Sequence, residues 1–116
     1  MKAPPFAYVR AASLSEALGL LSKPDAKAIA GGQSLLATLA FRLSQPELLV
    51  DIARLAELRG ITRAGDCVRI GALTTHATLS RDALVVSDVP LLASAAKLIA
   101  HPAIRNRGTI GGSLVH

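Results

Sequence analysis

The chain contains one cysteine, Cys67, no tryptophan, one tyrosine and two phenylalanines among its 116 residues. A lone thiol excludes a disulfide framework, a cysteine-based zinc site and the four thiolates of an iron–sulfur cluster, so any such cluster has to sit on another chain. Aromatic residues make up only 3% of the chain, which leaves base stacking on single-stranded nucleic acid poorly supplied. Long apolar runs are also missing. No segment approaches the roughly 18 uninterrupted apolar residues of a membrane span. Met1-Lys2-Ala3-Pro4-Pro5-Phe6 lacks the apolar core of a secretory leader, which makes the cytoplasm the expected compartment.

What is there is aliphatic. Ala, Leu, Ile and Val supply most of an apolar content of 51%, high for a small domain with a large surface to keep polar. Thirteen basic and eight acidic residues give a net charge of +5. The four lysines are scattered and the nine arginines form no run denser than Arg105 and Arg107, so the excess suits a phosphorylated ligand or an acidic neighbour better than a nucleic-acid stripe.

The pattern predicts a strand at Phe6 to Arg10, then a capping box at Ser13-Leu14-Ser15-Glu16 that opens a helix with Leu14, Ala17, Leu18 and Leu21 on one buried face. Strands follow at Lys27 to Ala30 and Leu48 to Ile52, with a helix over Leu35 to Leu43 between them. These two strands, joined through a crossover helix, are expected to be parallel and buried on both faces. Beyond a short helical stretch, Leu55 to Leu58, the character changes. Gly65-Asp66 separates two strands, Ile61 to Ala64 and Cys67 to Ala72, as an antiparallel hairpin turn does. Helices are predicted over His76 to Leu84 and Pro90 to Ala100, the latter burying Leu92, Ala95, Ala96 and Ile99. A glycine-rich loop over 105–113 then leads into a strand-like Leu114-Val115-His116. The fold class is α+β, with a small α/β unit over residues 1–55 and the beginning of a second α+β unit over 56–116.

Two loops stand out. Ala30-Gly31-Gly32-Gln33-Ser34 and Thr109-Ile110-Gly111-Gly112-Ser113 each carry a diglycine followed by a polar residue beside a predicted strand. A single Gly-Gly commonly marks a turn; two with the same chemistry suit the two ends of a diphosphate, because glycine admits close backbone approach and consecutive amides attract phosphate. Neither the G-x-G-x-x-G turn after the first strand nor the phosphate-binding G-x-x-x-x-G-K-[ST] occurs, so a diphosphate has to be held in another way.

These loops, together with Leu35-Leu36, Arg42-Leu43, Pro46, Leu49-Val50-Asp51-Ile52, Ile70-Gly71-Ala72 and Ile104 to Ser113, resemble the N-terminal part of the FAD-binding medium subunit of molybdenum hydroxylases of the carbon monoxide dehydrogenase and xanthine dehydrogenase type. The resemblance runs in order over essentially the whole chain. It implies the FAD-binding fold shared with vanillyl-alcohol oxidase, the second subdomain being incomplete. It implies noncovalent FAD held by Ala30, Gly31, Gly32, Gln33, Ser34 and Leu35, by Ala72 and Thr75 at a strand end, and by Thr109, Ile110, Gly111, Gly112 and Ser113. It further implies electron transfer, with molybdopterin on a large partner subunit, two [2Fe-2S] clusters on a small one, and FAD here passing electrons to an external acceptor. Members of the family continue well beyond the second glycine loop, so this chain is expected to bind FAD weakly, or only with a second polypeptide that supplies the rest. Two alternatives remain: an interaction module that docks on hydroxylase subunits without flavin, and a binder of another diphosphate nucleotide.

Other candidates read as structural. His76 is expected to cap or be solvated more often than to touch a ligand, and His101 to sit at a helix end. Asp66, Asp82 and Asp88 occupy positions where carboxylates turn or cap the chain. Cys67 is expected to be a small buried side chain, and Arg105 and Arg107 suit either a phosphate or an acidic partner. No metal ligands and no catalytic acid–base pair are expected. The faces of Leu92, Ala95, Ala96, Ile99, Leu114 and Val115 are expected to lack cover and to favour self-association.

Overall fold

The computed structural model describes residues 7–30, 46–99 and 108–115. The predicted helix over Leu35 to Leu43, most of the first diglycine loop, Arg105, Arg107, His101 and His116 lie outside these residues. The chain divides into two compact units, Met1–Ala56 and Glu57–His116.

The first unit is built on a three-stranded parallel sheet in the order β1-β3-β2, with β1 Ala7–Arg10, β2 Ala26–Ile29 and β3 Leu48–Asp51. Ala7 pairs with Leu48 and Ala26 also faces Leu48 across the other edge, which fixes both registers. Of the two strands expected to be buried on both faces, only β3 is: Leu49 and Val50, on opposite faces, are almost fully enclosed. Edge strands β1 and β2 leave much of their surface exposed. Helix α1, Leu14–Leu21, starts where Ser13 Oγ accepts a hydrogen bond from Glu16 N at 3.0 Å, as the capping pattern requires. It packs on β2 and β3 through buried Ala17. Leu18, expected on that face, is 62% exposed because it lies at the rim of the stripe centred on Ala17. Asp51 closes the sheet end. Its carboxylate accepts from the Tyr8 hydroxyl and from Ala53 N and lies 3.6 Å from Arg10 Nε. Burial works to raise its pKa, but these donors together hold it below the ordinary carboxylate value.

The second unit begins with a 3-10 turn, Ala56–Leu58, whose last residues lie in this unit, and an antiparallel hairpin of β4 Ile61–Ala64 and β5 Cys67–Ile70. Gly65 holds the turn with φ +61, a conformation that favours glycine. Val68 and Ile70 are half-buried, whereas Cys67 and Arg69 alternate with them on the exposed face. The expectation of a buried Cys67 is thereby corrected: a two-stranded hairpin has one face to cover, and Cys67 is on the other.

Three short helices cover that face: α2 His76–Arg81, α3 Ala83–Asp88 and α4 Pro90–Lys97. Their core is Leu79, Val85, Ala93 and Ala96, with Ile61, Ile70, Val89, Leu92 and Ile110 against it. The single helix predicted over His76 to Leu84 breaks at Asp82, whose extended backbone (ψ 130) ends α2 while its Oδ1 accepts from Leu84 N and Val85 N to start α3. Asp88 is the last residue of α3 and pairs with Arg63; no side chain caps α4, which has Pro90 in its first turn. The buried stripe of α4 is Ala93 and Ala96, with Leu92 and Ile99 half-buried and Ala95 exposed. Methyl-sized side chains let α2 and α4 approach closely, so the stripe turns by one residue from the predicted face. The described residues end in helix α5, Ile110–Val115, in place of the expected loop and start of a strand. Among the described residues no helix is long and apolar enough to cross a membrane, and no cluster of His, Cys, Asp or Glu could hold a metal ion.

Candidate functional site

The site grows from the segment that leaves β5. Gly71 passes so close to the 3-10 turn that a Cβ there would lie 2.3 Å from Leu58 O, and Leu73 N donates to Leu58 O at 2.8 Å. Thr75 then caps α2: its Oγ1 accepts from Thr78 N at 3.2 Å and its hydroxyl donates to Thr78 Oγ1 at 3.0 Å. Thr75 also borders an open groove of about 280 Å³, lined by Thr74, Thr78, Asp82, Arg59 and Ile61 among others.

The second diglycine segment runs antiparallel alongside. Thr75 and Thr109 face each other in an isolated bridge, flanked by His76 N donating to Gly108 O at 3.1 Å and Ile110 N donating to Thr74 O at 2.9 Å. Gly111 N donates to Ala72 O at 2.9 Å, and a Cβ on Gly111 would stand 2.8 Å from that oxygen and 2.9 Å from Ala72 Cβ. Glycine is therefore required at 111 by the backbone it packs on. Thr109 starts α5, its Oγ1 accepting from Gly112 N at 3.1 Å and its carbonyl from Ser113 N at 3.1 Å.

The amides of Ile110, Gly111, Gly112 and Ser113 thus all have acceptors within the chain. The row of amides expected to point at a phosphate is spent on the bridge and on the first turn of α5, and the hydroxyls of Thr109 and Ser113 are the donors this segment offers.

Ser113 is exposed, and its Oγ lies 2.8 Å from Nε2 of His76, which is 4% exposed. Burial holds the His76 imidazole below its ordinary value of 6.5, so the ring is neutral at neutral pH. His76 neither caps nor faces solvent, a correction to the sequence reading, because the bridge draws α5 across it. The pair spans 37 positions, and no local motif signals it.

The structure thus brings Ala72 and Thr75 together with Thr109, Ile110, Gly111, Gly112 and Ser113. Ala30, half-buried after β2, belongs to the first unit, and Gly31, Gly32, Gln33, Ser34 and Leu35 lie outside the described residues. As a donor set, exposed Ser113 and buried Thr109 fit the oxygen acceptors of a diphosphate or ribityl chain, while the half-buried Thr75 hydroxyl is already engaged with Thr78.

The family described as FAD binding domain in molybdopterin dehydrogenase matches residues 4–116. The 6-hydroxypseudooxynicotine dehydrogenase complex subunit alpha of Paenarthrobacter nicotinovorans is 53% identical over the whole of this chain, which spans 40% of that protein's length. Among solved structures, carbon monoxide dehydrogenase from Hydrogenophaga pseudoflava superposes with a TM-score of 0.96 at 50% identity, over all of this chain and 41% of the other. Quinoline 2-oxidoreductase from Pseudomonas putida 86 gives 0.94 at 47% identity with the same coverage. The chain therefore spans about two fifths of the length of the relatives it matches.

Proposed function

The chain belongs to the FAD-binding domain family of molybdopterin dehydrogenases, and from that premise we propose that it is the FAD-holding part of a molybdenum hydroxylase, working in the cytoplasm. When bound, FAD supplies redox chemistry between [2Fe-2S] clusters on a small partner subunit and an external acceptor, while a large partner subunit with molybdopterin oxidises the substrate. This chain's own residues bind and orient. The observation that carries the reading is the exposed Ser113 hydroxyl standing on a buried imidazole, beside the Thr75–Thr109 bridge, in a segment whose Gly111 is required by close packing.

In this reading Ser113 and Thr109 donate to the diphosphate, Thr75 and Ala72 border the flavin, and Ala30 to Leu35 contribute through the other diglycine. Gly111 keeps Ala72 and α5 close together within the second unit. No side chain here moves a substrate proton, because substrate oxidation belongs to the partner.

The test is an amide-resolved NMR titration of the chain with FAD, and in parallel with ADP and NAD. FAD is expected to shift Ala72 to Thr75 and Thr109 to Ser113 saturably, at lower concentration than ADP or NAD. Stronger shifts by ADP would favour a general diphosphate binder. No shift in these residues at any soluble FAD concentration, with the rest of the subunit also supplied as a second polypeptide, would leave an interaction module.

A further inference from the structure

A hydroxyl hydrogen-bonded to a neutral imidazole has two possible polarities. If the ring carries its proton on Nδ1, bare Nε2 must accept the serine proton, and Ser113 presents only lone pairs outward. If the proton is on Nε2, the ring donates to Ser113 Oγ and the serine O–H is turned outward as a donor. An anionic ligand is repelled by the first arrangement and held by the second.

The surroundings of His76 choose between them. His76 is the first residue of α2, and its backbone N is bound to Gly108 O. Among the described residues the ring's side-chain hydrogen bond is made through Nε2, so a proton on Nδ1 would have no partner among them, whereas one on Nε2 has Ser113 Oγ to donate to. Nε2, at the far end, lies 2.8 Å from Ser113 Oγ. Burial disfavours an imidazolium, which would carry protons on both nitrogens. Ser113 is exposed, so a proton turned away from the ring faces the surface.

We propose that His76 is a positioning residue for flavin binding: its Nε2–H donates to Ser113 Oγ and presents the serine hydroxyl as a donor to a phosphate oxygen of FAD. The ligand assignment rests on the FAD reading above; the tautomer does not. His76 touches no ligand itself and acts through Ser113 alone.

The tautomer is read on the ligand-free chain from imidazole 15N shifts. Protonated Nε2 with bare Nδ1 is expected, and the reverse overturns the inference whether or not flavin binds. FAD affinity is then measured for His76→Leu, His76→Gln and Ser113→Ala, each first checked for the wild-type amide fingerprint. His76→Leu is expected to weaken FAD about tenfold, the worth of one positioned hydrogen bond. His76→Gln, whose side-chain amide can donate from nearly the same place, should recover most of that loss. In the Ser113→Ala background His76→Leu should cost nothing further. A His76→Leu chain that binds as tightly as wild type, or loses the same factor with alanine at 113, overturns the proposal. Should His76→Leu fail to fold, the His76→Gln and Ser113→Ala pair decides: Gln is expected within about threefold of wild type and Ala about tenfold weaker. A wild-type chain that binds no FAD, either alone or with the rest of the subunit supplied as a second polypeptide, removes the proposed function, and the tautomer result still judges the role of His76.

Discussion

Glycine acts here through the backbone it meets. A methyl group added at Gly19, inside α1, would have nothing within 4 Å, whereas one added at Gly111 would meet Ala72 O at 2.8 Å. Replacing Gly19 with alanine is expected to stabilise the chain by roughly 0.5–1 kcal/mol through helix propensity. Gly111→Ala is expected to cost about 1–3 kcal/mol, since backbone cannot yield as a side chain does. Urea melts of the two variants give the comparison, and a Gly111→Ala chain as stable as wild type would refute the close-packing account. His76 adds a pH signature. Its folded pKa lies below the unfolded value of 6.5, so the unfolded chain takes up the proton first. The stability present above that value should therefore fall as pH drops through 6.5 toward the folded value, and His76→Gln should flatten this part of the profile while the other two histidines remain.

Element boundaries are set by single polar side chains. Asp82 ends one helix and starts the next, with two amides on one carboxylate oxygen. Asp82→Ala is expected to destabilise by about 1 kcal/mol, the usual cost of a lost cap, while Asp82→Asn and Asp82→Ser keep most of it. Thermal melts would show the order Asp, then Asn and Ser, then Ala; equal melts for all four would mean that the break has another cause. By contrast the exposed Arg63–Asp88 pair contributes little, because solvent screens it. Much of this scale is legible in the sequence. The capping box at Ser13, the Gly65 turn and the described strands lie within a residue or two of where the pattern puts them, because capping and turn chemistry are local. Asp82 is legible as a capping carboxylate, but the break it makes is not, since apolar spacing runs through it uninterrupted and carries one helix on to Leu84.

For the whole molecule, the open question is what covers its remaining apolar surface. Leu91 and Leu98, seven residues apart along α4 and its C-terminal end, are 81% and 85% exposed, and Leu114 on α5 is 80% exposed. Apart from Leu114, these are not the side chains that the apolar spacing points to: Ala96 is buried, and Leu92 and Ile99 are half-buried. Sedimentation of the 116-residue chain is expected to show a mass that rises with concentration, and Leu91→Gln with Leu98→Gln to suppress the rise. A monomer at all concentrations would show that such leucines are tolerated singly.

The resemblance carried by the chain's motifs pointed to the family, and spacing and turn chemistry determined the parallel and antiparallel halves and the two diglycines as the places of interest. Those properties are written in neighbouring residues: periodicity, caps, turns and a motif all act over a few positions. Tertiary structure alone decided that the amides of the second diglycine are already occupied, that Cys67 faces outward, and that His76 reaches Ser113 across 37 positions. Each depends on which surface a folded segment lies against. That is fixed by packing between parts of the chain far apart in sequence, where a residue's type no longer predicts its neighbour.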